Sequence, residues 1–311
     1  MNPFLLYMSI YGWIIFLVFI VLMLVIDLGI FNKEAHTISY KEAIIWSLVW
    51  ITLALLFNLG LYFYLGYQVA LEFFTGYLLE KSLSVDNIFV FLVIFSYFKV
   101  DKKYQHKILF WGVVGAIIMR GIFIVLGAAL LIKFHWIIYV FGIFLIYTGI
   151  KMAIQKDNNL KPEELRVVKI AKKYFRFTDK IHGSKFFVKE NLKVVATPLF
   201  IVLIVVEAMD LVFAFDSIPA ILAITNDTFV VFTSNIFAIL GLRALYFALA
   251  GIMDKFKFLK YGLAVILTFI GIKMLISGIY KIPTLISLLV IVIILTITVL
   301  ASIFIKQKVH K

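Results

Sequence analysis

The 311-residue chain is 64% apolar, contains no cysteine and carries a formal charge of +13. Its mean hydropathy is +1.09, and soluble domains are only about 45–50% apolar, so the chain is expected to lie in a lipid bilayer. Without cysteine, neither disulfides nor thiolate metal ligands can form. In a membrane protein the positive charge has an explanation other than nucleic acid, since it orients the loops.

Nine apolar segments are long enough to cross a bilayer, for which about 20 residues are needed. The sequence therefore predicts an all-α polytopic membrane protein with about nine transmembrane helices. The first segment lacks a basic leader and a small-residue cleavage site, so we expect it to be retained. In chain order the nine predicted spans are residues 8–28, 43–65, 68–98, 108–131, 135–154, 194–224, 229–252, 261–280 and 283–305.

The basic residues lie almost entirely in alternate loops. Counting Lys151 with the loop after it, 24 Lys and Arg lie after spans 1, 3, 5 and 7 or in the C-terminal tail, and two lie in the other loops. Cytoplasmic loops are the basic ones, so we expect the N-terminus outside and the C-terminus in the cytoplasm. No nucleic-acid partner is needed to explain the charge.

The longest loop, residues 155–193, is strongly basic. Pro162 followed by Glu163 and Glu164 predicts the start of a short helix. Two interpretations stay open: a cationic helix on the inner membrane surface, or a docking segment for a regulatory partner.

Three motifs recur in the same order, 122 to 124 positions apart. MRGIFIVL at 119–126 matches LRALYFAL at 242–249, GIKM at 149–152 recurs at 271–274, and DNIFVF at 86–91 resembles DLVFAF at 210–215. Each copy holds three spans, an odd number, which predicts an inverted-topology 3+3 repeat of the kind found in secondary transporters. The predicted units are two N-terminal helices (1–67), the first repeat (68–154), the basic loop (155–193), the second repeat (194–280) and a last helix with its tail (281–311).

The first span of each copy is unusual. Both run for 31 residues, about 46 Å as helix, and both carry polar residues at their centres. Pro219 also removes a backbone donor from the second of them. We therefore expect both helices to be broken in the middle, as happens where backbone lines a transport site.

Charged residues are predicted at mid-membrane depth, where each costs at least about 2.5–3.5 kcal/mol. They either pair only with one another and hold the bundle together, or the excess of acids binds a divalent cation or protons. Asp216 is about 240° round an ideal helix from Asp210, so its convergence with Asp86 stays open. The acids are Glu80, Asp86, Glu207, Asp210 and Asp216, and the cations are Lys81, Arg120 and Arg243.

The donors available at this depth are all oxygen. All five histidines fall in loops or at span ends, whereas Asn87 and Ser217 accompany the acids. Oxygen ligands favour Mg²⁺, Ca²⁺ or Mn²⁺ over Zn²⁺ or Cu²⁺. With no nucleophile–base pair, P-loop or dinucleotide fingerprint, we expect neither enzymatic activity nor a resident cofactor.

Glu80 through Phe91, together with the Asp216-Ser217-Ile218-Pro219-Ala220 segment, resembles the TerC family of integral membrane proteins. Residues 233–246 and 27–58 are similar to its longer, nine-span Alx-type branch. The resemblance implies a bacterial inner-membrane protein associated with manganese efflux, in which Asp86 and Asp216 correspond to the motif acids. One departure is Met209, where the family usually has a hydroxyl residue.

The resulting hypothesis is a secondary transporter that exports a divalent cation, with Mn²⁺ favoured, in exchange for protons. Its substrate site is expected between the two broken helices. The candidate ligands are Glu80, Asp86, Asn87, Glu207, Asp210, Asp216 and Ser217. The alternative is a membrane scaffold that does not transport but assists membrane-protein biogenesis or a stress response, using residues 155–193.

The charge asymmetry makes a prediction about topology. Reporter tags after Asp101 and within residues 160–190 should be cytoplasmic, and a tag at Asp227 should be outside, because the basic loops stay inside. Tags at Asp101 and Asp227 that report the same side would show the inverted repeat to be wrong.

Overall fold

The computed structural model describes residues 3–26, 38–134, 136–154, 173, 176–178, 183–190, 193–250, 258–280 and 282–304. These residues form helices and one small two-stranded hairpin. In chain order the elements are α1 (Pro3–Ile26), α2 (Tyr40–Leu65), α3 (Tyr67–Tyr97), α4 (Lys102–Lys133), α5 (Ile137–Ile154), β1 (Phe187–Glu190), β2 (Lys193–Ala196), α6 (Pro198–Leu222), α7 (Thr228–Leu240), α8 (Leu242–Leu249), α9 (Leu259–Ile276) and α10 (Thr284–Phe304).

The helices identify a polytopic membrane protein. Within the described residues, six segments have both the length and the hydropathy to cross a bilayer: Tyr40–Leu65, Lys102–Gly127, Ile137–Ile154, Pro198–Leu222, Thr228–Leu249 and Thr284–Phe304. Two shorter apolar helices, Ile10–Ile26 and Tyr261–Ile276, accompany them. Large apolar side chains such as Phe63 and Phe304 are 73% and 75% exposed, which suits a surface that contacts lipid.

The N-terminal boundary of predicted span 6 was wrong. Helix α6 begins at Pro198 and has 25 residues, whereas Lys193–Ala196 form strand β2, paired antiparallel with Phe187–Glu190. Val194 and Val195 are β-branched and favour a strand, and Pro198 suits the first turn of a helix. This hairpin lies at the end of the predicted basic loop. The proposed surface helix from Pro162 lies outside the described residues.

The expectation of two broken helices was also wrong, because α3 and α6 are each continuous. Pro219 lies only three residues before the end of α6, so its missing N–H removes a single hydrogen bond near the terminus. Within α3, the Ser82 hydroxyl donates to the Leu78 carbonyl of the same helix at 2.6 Å. The polar residues are therefore accommodated without unwinding the backbone.

The interruption occurs instead in predicted span 7, at Gly241 between α7 and α8. The Lys81 ammonium of α3 donates to the Ala238 carbonyl at 3.4 Å, one of the last carbonyls of α7, which lack a partner within the helix. A Cβ atom on residue 241 would lie 2.6 Å from Lys81 Nζ and 3.2 Å from Trp50 Cβ. Gly241 thus makes room for a side chain that binds the end of α7.

The most extensive helix contacts join the two predicted halves. Helix α5 packs on α9, α3 on α7, and α4 on α6, and each pair takes one helix from residues 68–154 and one from 194–280. Contacts among the helices of one half are sparse by comparison. The core is therefore built from interlocked halves rather than from two separate bundles.

The α5–α9 contact is symmetric under exchange of the halves. A Cβ on Gly149 would lie 2.6 Å from the Ala264 carbonyl oxygen, and a Cβ on Gly271 would lie 2.6 Å from the Gly142 carbonyl oxygen. Gly149 and Gly271 are 122 positions apart, and so are Gly142 and Ala264. This is the offset of the GIKM motif. Glycine permits this backbone approach because it has no side chain.

We expect substitution at this crossing to be costly. Gly271→Val places a branched side chain against the α5 backbone, so α5 and α9 must separate, and overpacking of this kind typically costs about 1–3 kcal/mol. Gly60→Val is the matched control, because nothing lies within 4 Å of its Cβ position. Thermal unfolding in detergent should show a clear loss for Gly271→Val alone; equal losses would contradict the close packing.

Candidate buried charge cluster and cation cavity

Arg120 on α4 is the centre of a fully buried charge cluster. Its side chain has no exposed surface, and the carboxylates of Glu80 and Asp210 that contact it are 0% and 5% exposed. Asn235 is the fourth member and is also completely buried. The four residues come from α3, α4, α6 and α7, so one guanidinium joins helices of both halves.

The guanidinium donates hydrogen bonds to three neighbours. It forms a bidentate pair with Asp210, from Nε at 3.0 Å and from the second nitrogen at 2.9 Å. A third nitrogen donates to a Glu80 oxygen and, at 2.8 Å, to the amide oxygen of Asn235. Asn235 in turn donates to the other Glu80 oxygen at 3.2 Å. Every oxygen of both carboxylates is thereby engaged.

This geometry is that of a strong ion cluster. Bidentate arginine–carboxylate bonds are among the most directional in proteins, and burial strengthens them. With both acids ionised, the two carboxylates and one guanidinium carry a net charge of −1. Glu80 and Asp210 therefore both pair with Arg120 and join helices of the bundle.

A second polar site, a small cavity, lies between α3 and α6. Glu80 and Asn87 of α3, with Asp216 and Ser217 of α6, line a cavity of about 10 Å³, close to the minimum for one water molecule. Its remaining lining is Leu83, Met152, Phe213 and Leu267. Ser217 is 2% exposed, and its hydroxyl has no hydrogen-bond partner among the described residues. Four predicted site residues thus line one cavity.

The two acids of α6, Asp210 and Asp216, lie at different sites. Because the helix is continuous, Asp210 bonds Arg120 while Asp216 lines the cavity six residues further along. Asp86 lies on α3, but its side chain is outside the described part of the structure, so its convergence with the other two stays a prediction. Among the described residues, no three His, Asp or Glu side chains form a group that could hold a metal ion. The cavity offers two carboxylates, an amide and a hydroxyl instead.

The other predicted charges lie apart from the cavity. Glu207 packs against α4, where a Cβ on Gly115 would lie 2.0 Å from its Oε1, and its Oε2 has no hydrogen-bond partner in the described chain. The guanidinium of Arg243, the repeat equivalent of Arg120, lies 5.9 Å from the ring centre of Phe110.

Sequence reasoning missed the role of Asn235. The available signal was an amide within an otherwise apolar span, next to Thr233 and Ser234. An uncharged amide in a membrane helix is usually a residue that hydrogen-bonds a neighbouring helix, and its type does not identify the partner. Its position between Arg120 and Glu80 depends on the packing of α7 against α3 and α4, which the residue type alone does not reveal.

The fold and these buried charges define an integral multi-pass helical membrane protein with a polar core. Residues 65–310 match the family described as integral membrane protein TerC family, and the chain belongs to this family. A Salmonella typhi protein provisionally named membrane-bound redox modulator Alx is 50% identical over 305 residues, 95% of each chain. The Escherichia coli K12 protein of that name is 49% identical over 305 residues, 95% of each chain.

An uncharacterized Myxococcus xanthus membrane protein, STKORF319, is 49% identical over 290 residues, 93% of this chain and 91% of its own. No solved structure matches the chain significantly. The family resemblance seen in the sequence motifs is therefore confirmed.

The cluster predicts which acid is structurally indispensable. Asp210→Ala leaves Arg120 buried without its bidentate partner, and breaking such a pair typically costs about 3–5 kcal/mol. Asp227→Ala is a suitable control: this exposed acid caps α7 through the Phe229 and Val230 amides, so its loss should cost only about 1 kcal/mol. Membrane abundance and detergent melting temperature should fall much further for Asp210→Ala, and similar losses would contradict the cluster's structural role.

Proposed function

We propose that this chain is a secondary transporter that exports a divalent cation, with Mn²⁺ as its substrate, across the bacterial inner membrane in exchange for protons. The observation that carries the proposal is the cavity between α3 and α6. It brings together Glu80, Asn87, Asp216 and Ser217, residues far apart in the sequence.

The donor types of the cavity favour a hard cation. Carboxylate, amide and hydroxyl oxygens suit Mg²⁺, Ca²⁺ and Mn²⁺, and the chain contains no cysteine to favour a softer metal. The unpartnered hydroxyl of Ser217 supports a ligand here, because buried polar atoms normally have partners. Asp86, one residue before Asn87, is proposed as a further carboxylate ligand, as the family motif implies.

The arrangement of the helices supports alternating access. The first helices of the two predicted repeats face each other across the cavity, and the symmetric Gly149–Ala264 and Gly271–Gly142 contacts fit a two-fold axis between the halves. In inverted-repeat transporters the substrate lies at the interface between the repeats, and their relative motion opens it to either side. Nine spans with an outside N-terminus complete the proposed topology.

The provisional name of the relatives suggests a redox role. The composition of this chain restricts which redox chemistry its own side chains can perform. Thiol–disulfide exchange requires cysteine, and the chain has none. Any effect of this chain on redox balance would therefore not use its own thiols. Export of a metal ion is one route that needs none.

The competing function is a membrane scaffold without transport. It is favoured by the cluster around Arg120, in which Glu80 and Asp210 both pair with the guanidinium without any substrate. A scaffold does not require a carboxylate at Asp216, which separates the two proposals.

The decisive measurement is metal uptake into everted membrane vesicles that contain the protein. We expect uptake of Mn²⁺, driven by an imposed proton gradient, with little uptake of Zn²⁺ or Cu²⁺. A preference for Zn²⁺ or Cu²⁺ would contradict the oxygen-ligand argument.

The variant Asp216→Asn tests the cavity itself. It preserves size but removes a charge, and since losing even an outer-shell partner lowers metal affinity about 10–100-fold, we expect at least about a ten-fold loss of Mn²⁺ uptake at low Mn²⁺. Asp101→Asn is the control: this acid is 53% exposed and pairs with Lys103 at the surface.

Abundance of each variant should be measured alongside uptake. Normal abundance of Asp216→Asn with lost uptake supports the site. Unchanged uptake would rule out the cavity as the substrate site.

A further inference from the structure

Glu80 belongs both to the Arg120 charge cluster and to the cavity between α3 and α6. One of its oxygens accepts from Arg120 and the other from Asn235, yet its side chain also lines the cavity with Asp216. Glu80 is thus the cavity-lining residue whose carboxylate is hydrogen-bonded by Arg120 and Asn235. A cation that binds Glu80 in the cavity would share this carboxylate with Arg120.

The cluster is arranged so that Glu80 can leave it at limited cost. Arg120 keeps the bidentate bonds to Asp210 when Glu80 moves, so the guanidinium remains neutralised in a buried position. A guanidinium cannot lose its proton in a protein, so Arg120 is a permanent positive charge. The charge on Glu80 is then the one that can be transferred to a second cation.

We propose that Arg120 is the built-in counter-cation of the empty site: it holds Glu80 when no metal is bound, and an entering divalent cation takes Glu80 from it. This inference rests on the proposed function and deepens it. Arg120 acts as a positioning residue, because it competes with the substrate for a ligand without contacting the substrate. Release of the metal restores the Arg120–Glu80 pair, which helps to expel the ion.

Removing the competitor should tighten metal binding. The test variant is Arg120→Gln combined with Asp210→Asn, because removing both members of the pair strands neither charge. When two cations compete for one carboxylate, the presence of one weakens the binding of the other. Coupling free energies of ordinary size change a binding affinity by about ten-fold. We therefore expect Mn²⁺ to raise the melting temperature of the purified double variant at about ten-fold lower concentration than for the wild type.

Two further variants make the test specific. Adding Glu80→Gln to the double variant should abolish the gain, because the gain depends on the carboxylate that Arg120 releases. Lys103→Gln removes an exposed surface cation that pairs with Asp101 and should leave the Mn²⁺ midpoint unchanged.

If the double variant does not fold, the variant Arg120→Lys provides a second test. Lysine keeps the positive charge but replaces the planar guanidinium, with its several N–H donors, by one ammonium group. It therefore cannot bind Asp210 and Glu80 together as the arginine does. We expect a smaller decrease in the Mn²⁺ midpoint, in the same direction.

The outcomes separate this inference from the proposed function. If the wild type exports Mn²⁺ into everted vesicles but the double variant and Arg120→Lys have the wild-type midpoint, Arg120 does not compete and the inference fails alone. If the wild type neither exports nor is stabilised by Mn²⁺, the proposed function fails and the inference with it. A tighter midpoint together with slower export supports both.

Discussion

A permanent positive charge in the interior of a membrane protein must be neutralised by groups that the fold itself supplies. The Arg120 guanidinium has no exposed surface and cannot shed its proton, so its burial requires acids at defined positions. Glu80, Asp210 and Asn235 meet this requirement from three other helices. The relative depth and rotation of α3, α4, α6 and α7 are consequently fixed by one side chain.

The same constraint explains why the halves interlock. Glu80 and Arg120 come from residues 68–154, and Asp210 and Asn235 from residues 194–280, so neither half contains a complete cluster. The bond from Lys81 to the end of α7 repeats this pattern. Packing between small residues supplies close contact in lipid, where apolar burial gives little preference for one partner helix. Ionic bonds across the halves then add the specificity that dispersion forces lack.

Hydropathy predicted where the helices lie, because length and apolarity alone decide which segments enter a bilayer. It also identified the buried charges, since their cost makes them rare. It misjudged the continuity of α3 and α6, because the buried carboxylates Glu80 and Asp210 are satisfied by side chains 40 to 155 positions away rather than by unwound backbone. The interruption at Gly241 was missed for the same reason: it depends on Lys81 of a distant helix.

In the proposed mechanism, stability and transport place opposite demands on Glu80. A cluster that held this carboxylate too firmly would exclude the substrate, whereas one without Arg120 would bind the metal and release it slowly. Transport requires binding strong enough to load the site and weak enough to empty it. Because Asp210 neutralises Arg120 independently, the strength of the Glu80 bond can change without unfolding the core. In the proposed mechanism the arginine therefore sets both the stability of the empty protein and its affinity for the cation, and the hydrogen bond from Asn235 to Glu80 is a place where the second can be adjusted.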